Sequence, residues 1–187
     1  MKKSYKIAIT GAGIAISGAA VFILLRKITG NKIVRIAKTF VGQRETGNNQ
    51  GFVSANFEKL MRTLGKWYSG AEWCASFARL VWMLALSGKK RIIADKLMNP
   101  STQQTYDNFS RDTSGLFRVS QKPKTGSVVI WRSRSRPHKG HAGIYIGKMA
   151  GKHFFIEGNA KDAVRLMNYV DYKNISNDLY LRGFINW

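Results

Sequence analysis

A single cysteine, Cys74, stands in Gly70-Ala-Glu-Trp-Cys-Ala-Ser-Phe-Ala78. The stretch from Trp73 to Leu86 has helical spacing, with Cys74, Phe77 or Ala78, Val81 and Ala85 on one face. The thiol therefore falls at, or one residue inside, a helix start. The free amides and dipole of a helix N-terminus favour an anion, and the thiolate is the nucleophilic form of cysteine. A buried packing thiol fits the same helix face equally well. What separates the two readings is a base facing the sulfur.

Three histidines are available. His138 lies in a Pro- and Arg-rich turn and His153 opens a strand after Gly151, so both read as solvated. His141 differs. Gly140-His-Ala-Gly-Ile-Tyr-Ile-Gly147 puts it at the start of a strand whose small residues let another segment approach closely. The next strand ends in Phe154-Phe-Ile-Glu-Gly-Asn159, and alternation places Glu157 and Asn159 on one face. His141 with either of them is a base and its orienter, of the Cys-His-Asn/Glu kind.

Those residues must be carried by a helical half and a sheet half. Helical spacing marks Ile33–Val41, Phe52–Leu64 closed by Gly65, Trp73–Leu86 stopped by Gly88, and a short helix at Ser101–Phe109 after Pro100. From Leu116 the pattern changes to strands: Ser127–Trp131, His141–Gly147, His153–Glu157 and Asp178–Ile185, with a basic turn at Arg132–Lys139. Helices first and strands later predict an α+β domain with an antiparallel sheet.

Five blocks occur in order: Asn48-Asn-Gln-Gly51, Glu72-Trp-Cys-Ala-Ser-Phe-Ala78, Pro123-Lys-Thr-Gly-Ser-Val-Val-Ile-Trp131, Gly140-His-Ala-Gly-Ile-Tyr-Ile-Gly147 and Ile156-Glu-Gly-Asn159. Their order and spacing resemble the CHAP family, the cysteine- and histidine-dependent amidohydrolases/peptidases of bacterial cell walls. The resemblance spans Ile36 to Trp187. It implies a papain-like fold, in which a helical lobe bearing the cysteine packs on an antiparallel sheet bearing the histidine. It implies hydrolysis of peptidoglycan amide bonds, as an amidase or an endopeptidase, in a bacterial enzyme or a phage virion or lysis component. Cys74 is then the nucleophile, His141 the base, and Glu157 and Asn159 its polar partners, with no cofactor and no metal. Trp67, Tyr68 and Trp73, just before the cysteine helix, are candidates to line a substrate groove or to fill the core. Family members commonly carry an acidic residue where this chain has Ser127.

The first 30 residues stand apart. Ile7 to Leu25 is an uncharged run of 19 residues, preceded by Lys2, Lys3 and Lys6 and followed by Arg26 and Lys27. At about 1.5 Å per residue a helix of this length just spans a bilayer core. It reads as an uncleaved anchor, giving two parts: a membrane anchor at 1–30 and a catalytic domain at 31–187. The expected location is a single-pass membrane protein of the bacterial envelope or of a membrane-containing virion. Gly11, Ala15 and Ala19 form a small-xxx-small stripe through which two anchors can pack as a homo-oligomer.

Composition bounds the rest. The 187 residues carry 31 Lys+Arg against 10 Asp+Glu, a formal net charge of +21. A field of that sign favours polyanions, including nucleic acid, lipid headgroups and acidic wall polymers. Arg132, Arg134, Arg136 and Lys139, with Lys148 and Lys152, crowd the loops around His141 in the sequence and read as a grip on anionic polymers or lipid headgroups. With 44% hydrophobic and 22% charged residues the chain is not disordered, and one cysteine excludes a disulfide framework or an all-cysteine metal site. Two other classes remain: a basic nucleic-acid-binding protein, which leaves the Cys/His/Glu-x-Asn set unexplained, and an anchored structural protein whose papain-like domain has lost activity.

Overall fold

A computed structural model describes residues 31–187. The expected anchor at 1–30 lies outside the described residues. Among the described residues, no helix is long and apolar enough to cross a membrane.

The architecture is α+β. Its helices are α1 (Lys32–Thr39), α2 (Ala55–Thr63), α3 (Cys74–Ala85), α4 (Gly88–Leu97) and α5 (Thr102–Ser110). The strands are β1 (Arg118–Ser120), β2 (Val128–Ser133), β3 (Gly140–Met149), β4 (Lys152–Glu157), β5 (Arg165–Tyr169) and β6 (Leu179–Asn186). They form one sheet in the order β1-β6-β2-β3-β4-β5, with every neighbouring pair antiparallel.

Local chemistry explains most of the helix starts. The Asn31 side chain accepts from the amides of Ile33 and Val34, and its own amide donates to the Thr125 carbonyl, tying α1 to the loop before β2. Ser54 and Ser101 cap α2 and α5 in the same way. The Ser54 cap sets the start of α2 at Ala55, so Phe52 is not helical as the apolar spacing suggested. It bridges instead to Glu45. Gly88 does not stop the cysteine helix. The chain turns extended at Leu86 and Ser87, and Gly88 opens α4, which the spacing did not reveal. Only Ala94 of α4 is fully buried, so the helix carries a weak apolar stripe. Strands β1 and β5, three and five residues long, were also missed. They hold the two sheet edges, where short, half-exposed sequences alternate poorly.

Helix α3 is buried on nearly all sides, not on one face as expected, because it runs between the sheet and the other helices. Its Arg79 is buried and pairs with Asp95 of α4. The sheet has two apolar faces. Val128, Ile130, Ala142, Ile144, Ile156 and Ile185 join the helices in the main core. Val129, Trp131, Tyr145, Phe155 and Phe184 form a second, aromatic cluster on the opposite face, covered by Tyr169 and Tyr172. Ser127 is fully buried. Its hydroxyl accepts from the Lys124 amide and donates to Asn186, closing the turn before β2.

Candidate active site

Cys74 is the first residue of α3 and is 5% exposed. The preceding residue, Trp73, offers no side-chain cap, and the first helical bond runs from the Phe77 amide to the Trp73 carbonyl. The amides of Cys74, Ala75 and Ser76 are thus left without an intrahelical acceptor, beside the sulfur. His141 lies one residue into β3, close enough to Cys74 for the thiol to act on its proton affinity. Its Nε2 is engaged by Glu157 Oε2 at 3.0 Å, which leaves Nδ1 as the nitrogen for the sulfur. Glu157 ends β4 and is 2% exposed. Cysteine, imidazole and carboxylate therefore stand in one chain of contacts, with the nucleophile from the helical half and the other two from the sheet.

Three features hold the imidazole and carboxylate. Trp131 is the cross-strand partner of His141, and the two rings stack with centroids 5.9 Å apart. Tyr169, on β5, donates from its hydroxyl to Glu157 Oε2 at 3.1 Å, the same oxygen that meets His141. Burial and then the Glu157 charge push the Tyr169 phenol above its ordinary range, so it remains a donor. Gly143 faces Glu157 directly across the β3–β4 pair. A Cβ there would come within 2.7 Å of Glu157 Cγ, so the glycine makes room for the acid. Gly143→Ala should therefore displace Glu157 and, if the site hydrolyses amides as the resemblance implies, lower that rate tenfold or more, on the scale by which misplacement degrades catalysis. A thermal melt close to wild type, alongside the reduced rate, would place the effect at the site.

Burial alone would lower the His141 pKa. The hydrogen bond and charge of Cys74, followed by those of Glu157, outweigh it and push the imidazole up to about 10. The arrangement thus favours the protonated form of the imidazole. Glu157 Oε1 takes no hydrogen bond from the protein, so the acid acts through one oxygen.

Asn159 does not share the site face. The strand stops at Glu157, and Asn159 turns in the left-handed region at φ +55°, so alternation no longer governs it. Its side-chain amide donates to Asn49 Oδ1 at 3.2 Å. Asn49 lines the cleft with Cys74, and its backbone amide donates to Glu45 Oε1. Glu45 Oε2 accepts from the Trp73 indole at 2.6 Å. The Asn48–Gly51 turn is thereby locked to the residue just before the cysteine. No spacing or motif singles out Glu45, although a buried acid in so basic a chain is a signal worth reading. Nothing local marks Tyr169, whose part arises from strand pairing alone.

The cleft over Cys74 encloses about 550 Å³. Asn49, Tyr68, Glu72, Thr102, His138 and Lys139 are among its lining. Of the three aromatic candidates only Tyr68, 62% exposed, lines it. Trp73 and Trp67 are buried, packed edge-on against Phe52 with centroids 5.0 and 4.7 Å away. Their large apolar surface is better buried than wetted, and they serve the core. His138 is exposed on the cleft rim, whereas His153 is half-buried and hydrogen bonds the Tyr145 hydroxyl. Lys139 pairs with Glu72 at 3.2 Å across the rim. Lys148 and Lys152 are not beside His141. They sit at the far end of the β3–β4 hairpin, seven residues or about 23 Å along β3 at ordinary strand rise. Among the described residues, no group of three or more His, Cys, Asp or Glu side chains is placed to hold a metal.

Comparison of the chain with family models, curated proteins and solved structures finds no match.

Proposed function

We propose that the chain is a cysteine hydrolase of papain-like fold that cleaves amide bonds of peptidoglycan, tethered to a membrane by its first 30 residues. The observation that carries the hydrolase reading is the Cys74–His141–Glu157 contact chain at the head of α3, open to a cleft large enough for a peptide segment. Peptidoglycan as the substrate comes from the CHAP resemblance.

In this reading the Cys74 thiolate attacks an amide carbonyl, and the oxyanion gathers at the uncapped amides of the α3 N-terminus. Asn49 is the second donor. Its Oδ1 is held by Asn159, which leaves its Nδ2 for the cleft. The His141 imidazolium gives its proton to the leaving amine. Neutral His141 then activates water to hydrolyse the thioester. Zymography of the purified chain on peptidoglycan tests the reading directly. A clear zone supports it, and no clearing by soluble, folded protein returns the chain to the structural or nucleic-acid classes.

The elevated His141 pKa gives the pH profile a sign. The leaving amine needs a proton from His141, so kcat/KM should fall on the alkaline side as the imidazole loses it, near pH 10. Removing the Glu157 charge should move that limb to lower pH. A basic limb unchanged in Glu157→Gln would mean that the limb reports another group.

The tether has its own test. The full chain should remain with membranes through a high-salt wash, because an apolar span is indifferent to ionic strength. Release by salt alone would assign the attachment to the basic surface, binding anionic headgroups.

A further inference from the structure

A second concavity lies away from the cleft. It encloses about 520 Å³ between the start of α4, strand β1, the loop before β2 and the end of β6. Lys90, Arg118, Lys122 and Lys124 line it, with Phe117 and Trp187 among the apolar walls and no acidic side chain. It shares no lining residue with the Cys74 cleft. Strand β2 runs from Val128, next to this groove, to Arg132, paired with Gly140 at the cleft, so the two concavities sit at opposite ends of the sheet.

Folding gives no reason for this charge. Four cations around one space repel one another, and none belongs to an ion pair among the described residues. Lys90 stands in the first turn of α4 beside Lys89 and Arg91, with no acid in that turn, where the helix dipole disfavours cations. Protection of an open sheet edge by charge accounts for Arg118 on β1 alone. The aromatic walls narrow the ligand. Lys90 lies over the Trp187 ring, 5.1 Å from its centroid, and Phe117 is buried against Trp82. Each ring thus already has a partner on one of its faces, where a nucleic-acid base would otherwise stack.

We propose that this groove binds a flexible phosphodiester chain without aromatic bases, of the polyol-phosphate type. The spaced cations meet successive phosphates, and the groove holds the enzyme on its polymer while the opposite end of the sheet works on the peptide. Binding at the groove stands on the groove's own residues. Only its use on a cell wall rests on the hydrolase reading.

The test uses the full chain carrying Cys74→Ser in non-ionic detergent, with a labelled poly(glycerol phosphate) oligomer followed by fluorescence anisotropy across a salt series. Lys122→Gln with Lys124→Gln should weaken binding tenfold or more. It should also flatten the salt dependence by about 0.7 in log–log slope for each phosphate no longer neutralised, the value for single-stranded polyanions. Lys59→Gln with Lys173→Gln, both exposed and outside the groove, should leave both unchanged. The proposal is overturned by absent binding, by equal weakening in the two pairs, or by tighter binding of oligothymidylate, which would make the groove a nucleic-acid site. Melting temperatures check that the glutamine variants fold. Because no turnover is involved, failed binding with positive zymography rejects the groove alone, and the converse rejects the hydrolase reading alone.

Discussion

Replacing Cys74 by serine is expected to abolish peptidoglycan hydrolysis, by about 10³-fold or more, while the domain stays folded. Losing the nucleophile of a concerted set removes most of the catalysis that the set provides. A hydroxyl in the same place is far less acidic than a thiol, and an imidazole whose pKa is raised to about 10 holds its own proton and is poorly placed to take one from an alcohol. The fold should tolerate the change because Cys74 adds one small side chain to a core filled by Trp73, Phe77 and their neighbours. Thiol alkylation should inactivate the wild-type chain, and substrate should slow it, since Cys74, 5% exposed, lines the cleft. Undiminished hydrolysis by Cys74→Ala would end the cysteine mechanism.

Glu157→Gln should lower activity by about 10²-fold, within the span of general acid–base effects. The amide oxygen can still accept from His141 Nε2, and its NH₂ then occupies the place of Oε1, which takes no bond from the protein. Shape is kept and charge is removed, so the rate should fall together with the alkaline limb. Asn159→Ala should cost less. It frees the Asn49 side chain but leaves imidazole, carboxylate and sulfur in place. Tyr169→Phe, which removes one of the two donors to Glu157 Oε2, serves as a graded control and should fall between wild type and Glu157→Gln. A ranking in which Asn159→Ala is the worse variant and also shifts the alkaline limb would make Asn159 the orienter.

Tests of these residues bear on a site that was only half readable in the sequence. Cys74 at a helix start, His141 at a strand start and Glu157 at a strand end are local statements. Spacing and turn residues suffice for them, because helix and strand periods are properties of short stretches of chain. The α+β class follows from the same local patterns. The helix Gly88–Leu97 did not, because its apolar stripe is weak and the glycine at its start looked like a stop.

Local pattern and composition were thus enough for the reacting groups, the kind of element that bears each, and the excess of positive charge. Which groups meet was settled by the folded chain. Antiparallel register put Glu157 opposite Gly143 and Trp131 opposite His141, and it brought Tyr169 to the same carboxylate from another strand. A left-handed turn sent Asn159 away from the histidine to Asn49, against the alternation that linked it to Glu157. Burial separated Tyr68, which faces the cleft, from Trp67 and Trp73, which do not. Strand length carried Lys148 and Lys152 away from the site, while folding gathered Lys90 and Lys124, 34 positions apart in the chain, around one groove. Register, handedness and burial arise from contacts between distant segments, and no local period encodes them.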